Sequence, residues 1–352
     1  MEETAKAPAP AAPAPATNKA GLTKNEYKGL KSTLCPGCGH DSITNHIISA
    51  CYELGIEPHR VAKLSGIGCS SKTPAYFMSQ AHGFNAVHGR MPSVATGAAI
   101  ANGSLIPIGV SGDGDSASIG MGQLVHVLRR NVQLVYIIEN NGVYGLTKGQ
   151  FSATADIGSK AKGGAPNPFD PNDVCSLAID LGCAFVARSF SGDGKQLIPL
   201  MKAALAHKGT ALLDIISPCV TFNDHEGSTK SYASVKANDQ RLHDISFIPA
   251  FQEISVDYPE GTTKIVEMHD GSHVVLRKIE KDYDPTDKYK AMETLMRSRE
   301  KGELLTGLIY YQQGKADFNS QLHMVDEPLT SLSQDQVRPS KEALEEIMEA
   351  LR

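Results

Sequence analysis

The chain has 352 residues, enough for one large or two ordinary domains with a sizeable core. Its 34 basic residues nearly balance 39 acidic ones, which gives no reason to expect nucleic acid or an anionic membrane surface as partner. No window approaches the roughly 18 uncharged apolar residues of a membrane span, and Met1 to Ala20 lacks a basic start before an apolar core, so a cytoplasmic protein without a secretory signal is expected.

Residues 1–21 carry the run APAPAAPAPA (7–16). Alternating Pro and Ala neither builds a helix nor buries a core, so an extended, disordered tail is expected, with order beginning near Leu22. Short apolar runs at Val61–Leu64, Leu105–Val110, Gln133–Ile138, Phe185–Arg188 and Ala211–Ile216 predict buried strands. Helical spacing marks Ser42–Leu54, Ser93–Asn102, Ile119–Arg130, Asn172–Leu181 and Lys195–His207, with Gly182 as the stop of the fourth. Strand–helix alternation of this kind predicts an α/β fold with a doubly wound, mostly parallel sheet. The main domain is expected to run over residues 22–257. Beyond it, Thr263–Val266 and His273–Arg277 predict a hairpin around Asp270-Gly271, and Asp287–Arg299 and Ser340–Arg352 predict helices. Residues 258–352 are expected to form an irregular C-terminal extension, structural in role and in contact with other subunits.

Gly112-Asp113-Gly114 follows one predicted strand, and Asn140-Asn141 follows the next, with 25 residues between Gly114 and Asn140. That spacing is one helix plus one strand, so both loops fall at carboxyl ends of parallel strands, where such sheets bind ligands. Magnesium takes hard oxygen ligands, one or two from side chains and the rest from phosphate and water. Asp113 offers a carboxylate and Asn141 an amide oxygen. The flanking glycines let the backbone approach a diphosphate, and a helix beginning near Ala117 would aim its amides at the phosphates. No Gly-x-Gly-x-x-Gly follows a strand and no Walker A sequence is present.

Seven cysteines, an odd count without a signal sequence, argue against a disulfide framework. Cys51, Cys175 and Cys183 sit among apolar residues and read as packing. Cys35 and Cys38 form a Cys-x-x-Cys; Cys69 and Cys219 stand alone in GIGCSS and SPC. Four thiolates can hold a tetrahedral zinc or a [4Fe–4S] cluster. Structural zinc usually shows two close pairs; a single pair favours the cluster.

The GDG and NN motifs resemble the thiamine diphosphate signature. Six blocks in order, LCPGCGH (34–40), GIGCSSKTPAYF (66–77), HGRMPSVATGAAIAN (88–102), GDGD (112–115), NNGVYGLTKGQ (140–150) and SPCVTFNDHEGSTKSY (217–232), resemble the β subunits of 2-oxoacid:ferredoxin oxidoreductases, most closely those acting on 2-oxoglutarate. The resemblance implies the thiamine diphosphate-binding, or PP, type of sheet. It implies Mg²⁺ on Asp113, Asn141 and the carbonyl of Val143, and one [4Fe–4S] cluster on Cys35, Cys38, Cys69 and Cys219. It further implies that Ser70, Ser71, His88, Gly114, Asp115, Gly145 and Leu146 meet the cofactor, and that Lys72, His88 and Leu146 face the reacting centre.

By the same resemblance the reaction is a reversible oxidative decarboxylation of 2-oxoglutarate with coenzyme A to succinyl-CoA and CO₂, electrons passing through the cluster to ferredoxin. A pyruvate or broad-range 2-oxoacid enzyme is the alternative. Lys72, Arg90 or Lys148 would meet a second carboxylate. Only the diphosphate half of a thiamine site is legible in the chain, so an α subunit is expected to supply the other half, as an αβ heterodimer or a dimer of αβ. A thiamine decarboxylase without redox chemistry leaves the four cysteines unexplained, and a zinc-stabilised interaction module leaves the GDG and NN pair unexplained.

Overall fold

The computed structural model describes residues 16–159, 165–217, 219–222, 256–267 and 273–352. The Ala/Pro run up to residue 15, and the end of the SPCVTFNDHEGSTKSY block from residue 223, lie outside the described residues. So does the Asp270-Gly271 turn.

Apolar runs without polar alternation make strands that are buried on both faces. β1 (Val61–Ser65), β3 (Ile106–Gly112), β4 (Leu134–Asn140), β7 (Phe185–Phe190) and β8 (Thr210–Ile216) are of this kind. β2 (His82–Asn85) is a short exposed strand, and β5 (Val143–Tyr144) and β6 (Gln150–Phe151) form a separate hairpin. β9 (Thr263–Glu267), β10 (His273–Lys278) and β11 (Leu304–Tyr311) follow. The main sheet runs β2-β1-β3-β4-β8-β7-β11-β10-β9. The first six strands of that order are parallel; β11 pairs antiparallel with β7, and β9 antiparallel with β10.

Helices cover both faces. α3 (Met91–Ala101), α4 (Met121–Arg130), α5 (Val174–Asp180) and α7 (Lys288–Glu300) pack on one side, over Leu134, Tyr136 and Ile138. α1 (Gly39–Glu53) and α6 (Gly194–Ala206) pack on the other, over Val135 and Ile137. The side-chain period of two thus splits one strand between two cores. Each buried Leu, Ile or Val contributes roughly 1.5–3 kcal/mol. Cys51, Cys175 and Cys183 are fully buried within these cores.

Three expectations need correction. The helical run expected near Ala117 starts earlier, at a π turn over Asp115–Ile119, and the α-helix proper follows from Met121. Contacts begin before Leu22: Asn18 Nδ2 donates to Tyr27 Oη and to the Tyr52 carbonyl, both at 2.8 Å. The C-terminal region is not an irregular appendage, since β11 is an eight-residue apolar strand that joins β7 and extends the main sheet. α2 (Thr73–Tyr76) and α8 (Lys341–Ala350) complete the elements used below.

At the amino ends of the strands, Asn131 ends α4 in the left-handed region, at φ 53°. Its side chain accepts from the Thr210 amide at 3.0 Å and donates to the Ala316 carbonyl at 3.0 Å, joining α4, β8 and the C-terminal segment. Asn131→Ala adds left-handed strain and orphans two backbone groups. Denaturant unfolding is expected to show a loss of about 2–4 kcal/mol with an unchanged slope.

Candidate functional site

The strand order places a switch point at β1, since the chain steps outward to β2 and then back across to β3. Open parallel sheets bind ligands at the carboxyl ends around such a point. The loops that leave β1, β2, β3, β4 and β8 there carry every residue singled out from the sequence except Cys35, Cys38, Val143, Gly145, Leu146 and Lys148. Those lie on the turn before α1 and on the β5–β6 hairpin, which come to the same end.

Asp115 organises the rim. Its Oδ1 accepts from the Gly89 amide at 2.7 Å, from the Ile67 amide at 3.4 Å and from His88 Nδ1; its Oδ2 accepts from Ser111 Oγ at 2.5 Å. A Cβ on Gly66 would overlap that Oδ2, so glycine is required there. His88, 31% exposed, lines the cavity described below, and with Nδ1 committed to Asp115 its Nε2 is the free ring nitrogen.

Asp113 is 1% exposed and accepts from Ser152 Oγ, from Thr154 Oγ1 at 2.6 Å and from the Asn141 amide at 3.3 Å. Burial pushes its carboxyl up, and these donors pull it back only in part. No cation pairs with it among the described residues. Asn141 Oδ1 accepts from the Val143 amide at 3.1 Å, which brings amide oxygen, Val143 and Asp113 to one spot. A buried carboxylate beside a turned amide oxygen, with no positive partner, fits a hard cation. Gly114 lies against the Tyr144 ring, where a Cβ would come within 2.5 Å, and Tyr144 Oη donates to the Gly114 carbonyl at 3.0 Å.

Cys35 and Cys38 stand at the two ends of a tight turn, with Cys38 N donating to Cys35 O at 3.0 Å. Pro36 presets the first turn position and Gly37, at φ 80°, takes the second, as a type II turn requires. Cys69 lies 3.2 Å from where a Gly145 Cβ would stand. Thr221 Oγ1 lies 3.5 Å from Cys35 Sγ, and the Phe222 amide donates to Cys219 Sγ at 3.3 Å. Burial pushes the thiols of Cys38, Cys69 and Cys219 up, and the Cys219 thiol lies in the field of Cys69 and Cys35. All seven cysteines are free thiols. Among the described residues no group of three or more His, Cys, Asp or Glu is placed to hold a metal ion. The buried hydroxyl of Ser71, two residues past Cys69, has no hydrogen-bond partner among the described residues.

One cavity of about 70 Å³ reaches both groups: Cys69, Ser70, His88, Asp113, Asn141 and Leu146 line it. Lys72, Arg90 and Lys148 are exposed and within three residues in sequence of lining residues, Lys148 with left-handed backbone at φ 78°. Residues without a sequence signature of their own fill the wall. His40 Nδ1 lies 2.6 Å from Ser217 Oγ and 3.5 Å from Glu139 Oε2, and Thr73 Oγ1 donates to Glu139 at 3.0 Å. Burial pushes the His40 ring down to about 4 and the Glu139 carboxyl well up. No regular spacing marks Thr73, Glu139, Ser152 or Thr154; His40 is legible only as part of LCPGCGH.

Gly66→Ala would force Asp115 off its donors. A stability loss of about 2–4 kcal/mol is expected in denaturant unfolding, against less than about 0.5 kcal/mol for Gly83→Ala, which meets open space.

The C-terminal TPP-binding domain of thiamine pyrophosphate enzymes matches residues 66–215, and the C-terminal part of the pyruvate ferredoxin oxidoreductase β subunit matches residues 273–327. A 2-oxoacid:ferredoxin oxidoreductase β subunit of Sulfolobus sp is 41% identical over 239 residues, 68% of this chain and 76% of the relative. The 2-oxoglutarate oxidoreductase subunit KorB of Mycobacterium tuberculosis is 40% identical over 60% of this chain and 56% of its own. The structure of 2-oxoglutarate:ferredoxin oxidoreductase from Magnetococcus marinus, with 2-oxoglutarate, coenzyme A and succinyl-CoA bound, superposes with a TM-score of 0.69 at 29% identity. It covers 90% of this chain and 97% of that one.

Proposed function

The chain belongs to the 2-oxoacid:ferredoxin oxidoreductase β subunits, and we propose that it is the thiamine diphosphate-binding and electron-carrying subunit of an enzyme that oxidises 2-oxoglutarate to succinyl-CoA and CO₂. The observation that carries this reading is the single cavity lined by both Cys69 and the Asp113–Asn141 pair. It brings a hard-cation site and a thiol site within reach of one bound substrate.

Thiamine diphosphate supplies a nucleophilic thiazolium carbon and an electron sink for decarboxylation. Asp113, Asn141 and the Val143 carbonyl hold the Mg²⁺ that binds its diphosphate. Gly112 and Gly114 keep that face of the pocket free of side chains, and Ser70, Ser71, Asp115, Gly145 and Leu146 complete the wall. His88, oriented by Asp115, presents Nε2 toward the diphosphate region. Lys72, His88 and Leu146 are assigned to the reacting centre. Cys35, Cys38, Cys69 and Cys219 hold one [4Fe–4S] cluster, which supplies one-electron transfer toward ferredoxin. His40 and Glu139 line the same cavity, where burial disfavours the charged form of each.

Substrate assignment rests on the 2-oxoglutarate enzymes among the relatives and on the cations close in sequence to the cavity's lining residues. Lys72, Arg90 and Lys148 are there to meet a second carboxylate. Pyruvate, with one carboxylate, is the second reading, favoured by the match at residues 273–327.

A cavity of about 70 Å³ encloses only part of a cofactor of this size, ligand sites generally running to roughly 300–1,000 Å³. Leu146, which lines it, is 52% exposed, and Val87, next in sequence to the lining residue His88, is 71% exposed. Both features support an α subunit that closes the pocket and adds the aminopyrimidine contacts, as αβ or a dimer of αβ. No helix among the described residues is long and apolar enough to cross a membrane.

Anaerobic viologen reduction by the chain co-purified with its partner tests substrate choice. Reduction with coenzyme A and 2-oxoglutarate is expected to exceed that with pyruvate by at least about tenfold, one missed charge-assisted contact in free energy; the reverse order makes the enzyme a pyruvate oxidoreductase. The same preparation is expected to be brown, with absorbance near ~400 nm from a Cys₄-ligated cluster. Cys69→Ser should remove that absorbance and viologen reduction while thiamine diphosphate still binds. Retained absorbance would dismiss Cys69 as a ligand.

A further inference from the structure

A second cavity, about 280 Å³, lies on the far side of Asn140 from the cation site. Arg188 of β7 forms part of its wall and is 5% exposed. Its Nε donates to Asp214 Oδ2 at 2.8 Å and its Nη2 to Asp173 Oδ1 at 3.1 Å. Asp214 Oδ1 accepts from Asn140 Nδ2 at 3.0 Å. Asn140 Oδ1 lies 3.1 Å from Thr154 Oγ1, which lies 2.6 Å from Asp113 Oδ2. An unbroken series of buried contacts therefore joins a permanently charged arginine to Asp113.

The direction of each contact follows from chemistry. A carboxylate paired with a guanidinium only accepts, so Asp214 draws the amide nitrogen of Asn140 and turns the amide oxygen toward Thr154. Thr154 has one hydroxyl proton and two acceptors, Asn140 Oδ1 and Asp113 Oδ2. Ser152 Oγ already donates to that same Asp113 oxygen. If the Asn140 amide turned over, its nitrogen would donate to Thr154 and the whole threonine proton would fall on Asp113. A carboxylate oxygen that takes two full hydroxyl donors has less electron density left for a cation.

We propose that Arg188 and Asp214 are positioning residues for the cation site. They hold the Asn140 amide with its oxygen toward Thr154, so that it competes with Asp113 for the Thr154 proton, which a turned amide would leave wholly to Asp113. The inference rests on the reading of Asp113 and Asn141 as Mg²⁺ ligands. It gives a role to a buried ion pair that lies outside the cavity where the reaction is placed.

The test is calorimetric titration of Mg²⁺ into the metal-free αβ complex at saturating thiamine diphosphate, with the melting temperature of each metal-free complex as the folding control. Asp214→Asn leaves Arg188 paired with Asp173 and frees the Asn140 amide. It is expected to weaken Mg²⁺ about tenfold, the size of one charge-assisted hydrogen bond. Thr154→Val in that background removes the proton that overloads Asp113, and is expected to restore affinity to within about threefold of the parent. A merely structural loss would not be rescued by a second buried substitution. If Asp214→Asn does not fold, Arg188→Met with Asp173→Asn and Asp214→Asn removes the guanidinium and both of its carboxylates together and carries the same expectation. Asp113→Asn separates the two readings. Should it abolish Mg²⁺ binding while the Asp214 variants bind as the parent does, the positioning role is wrong and the ligand assignment stands. Unchanged Mg²⁺ binding in Asp113→Asn overturns both.

Discussion

The buried carboxylate of Asp115 is the contact on which the arrangement of this end of the sheet depends. It accepts from groups on the segments that follow β1 and β2 and from the last turn of β3. β1 lies between the other two strands in the sheet, so one side chain closes the switch point from within. An uncompensated carboxylate in that position would destabilise the fold by several kcal/mol. Four donors converge on it instead, and their convergence fixes where His88 and the Gly66–Cys69 loop stand. Asp113, His88 and Cys69 then line one cavity, beside that single anchor.

Charge is handled differently a few ångströms away. Asp113 has neutral donors and no cation among the described residues, whereas Asp214 and Asp173 share Arg188. Burial pushes the Asp173 carboxyl up, and the arginine charge with the Ser176 amide more than offsets it, so it sits below its ordinary value. His40 and Glu139 are a third case, in which burial disfavours the charged form of both groups. The sheet interior thus holds one arginine shared by two carboxylates, one imidazole–carboxyl contact and one carboxylate with hydroxyl and amide donors alone among the described residues. The C-terminal strands matter to this balance, because β11 pairs with β7 at Gly307 and Arg188 and covers the compensated pair.

Much of the fold is legible in the sequence, for a physical reason. Strands buried on both faces read as continuous apolar runs, and Val61–Leu64, Gln133–Ile138 and Ala211–Ile216 match β1, β4 and β8 to within two residues at each end. β2 is invisible because His82–Asn85 is exposed and has no pattern. β11 escapes notice because it lies in a C-terminal region without chemical motifs, although Leu304–Tyr311 is as apolar as the central strands. In the site, motifs with fixed spacing identify Asp113, Asn141 and the four cysteines as candidates, and the folded chain gathers them at one end. The supporting side chains of Thr73, Ser111, Glu139, Ser152 and Thr154 are not legible. Their partners are set by strand order, and an isolated serine or threonine has the same appearance in any loop.

The gathering of the cysteines also fixes an order of events during synthesis. Thr221 and Cys35 are 186 positions apart in the chain, yet their side chains touch. Cys219 reaches the other thiols only because β8 inserts between β4 and β7, after α6 has crossed the sheet. A nascent chain that has emerged only as far as β4 offers three thiols on two unconnected loops, with nothing opposite them. The four thiols therefore come together only once the chain through β8 has joined the sheet, and a partly folded chain cannot present them as a set.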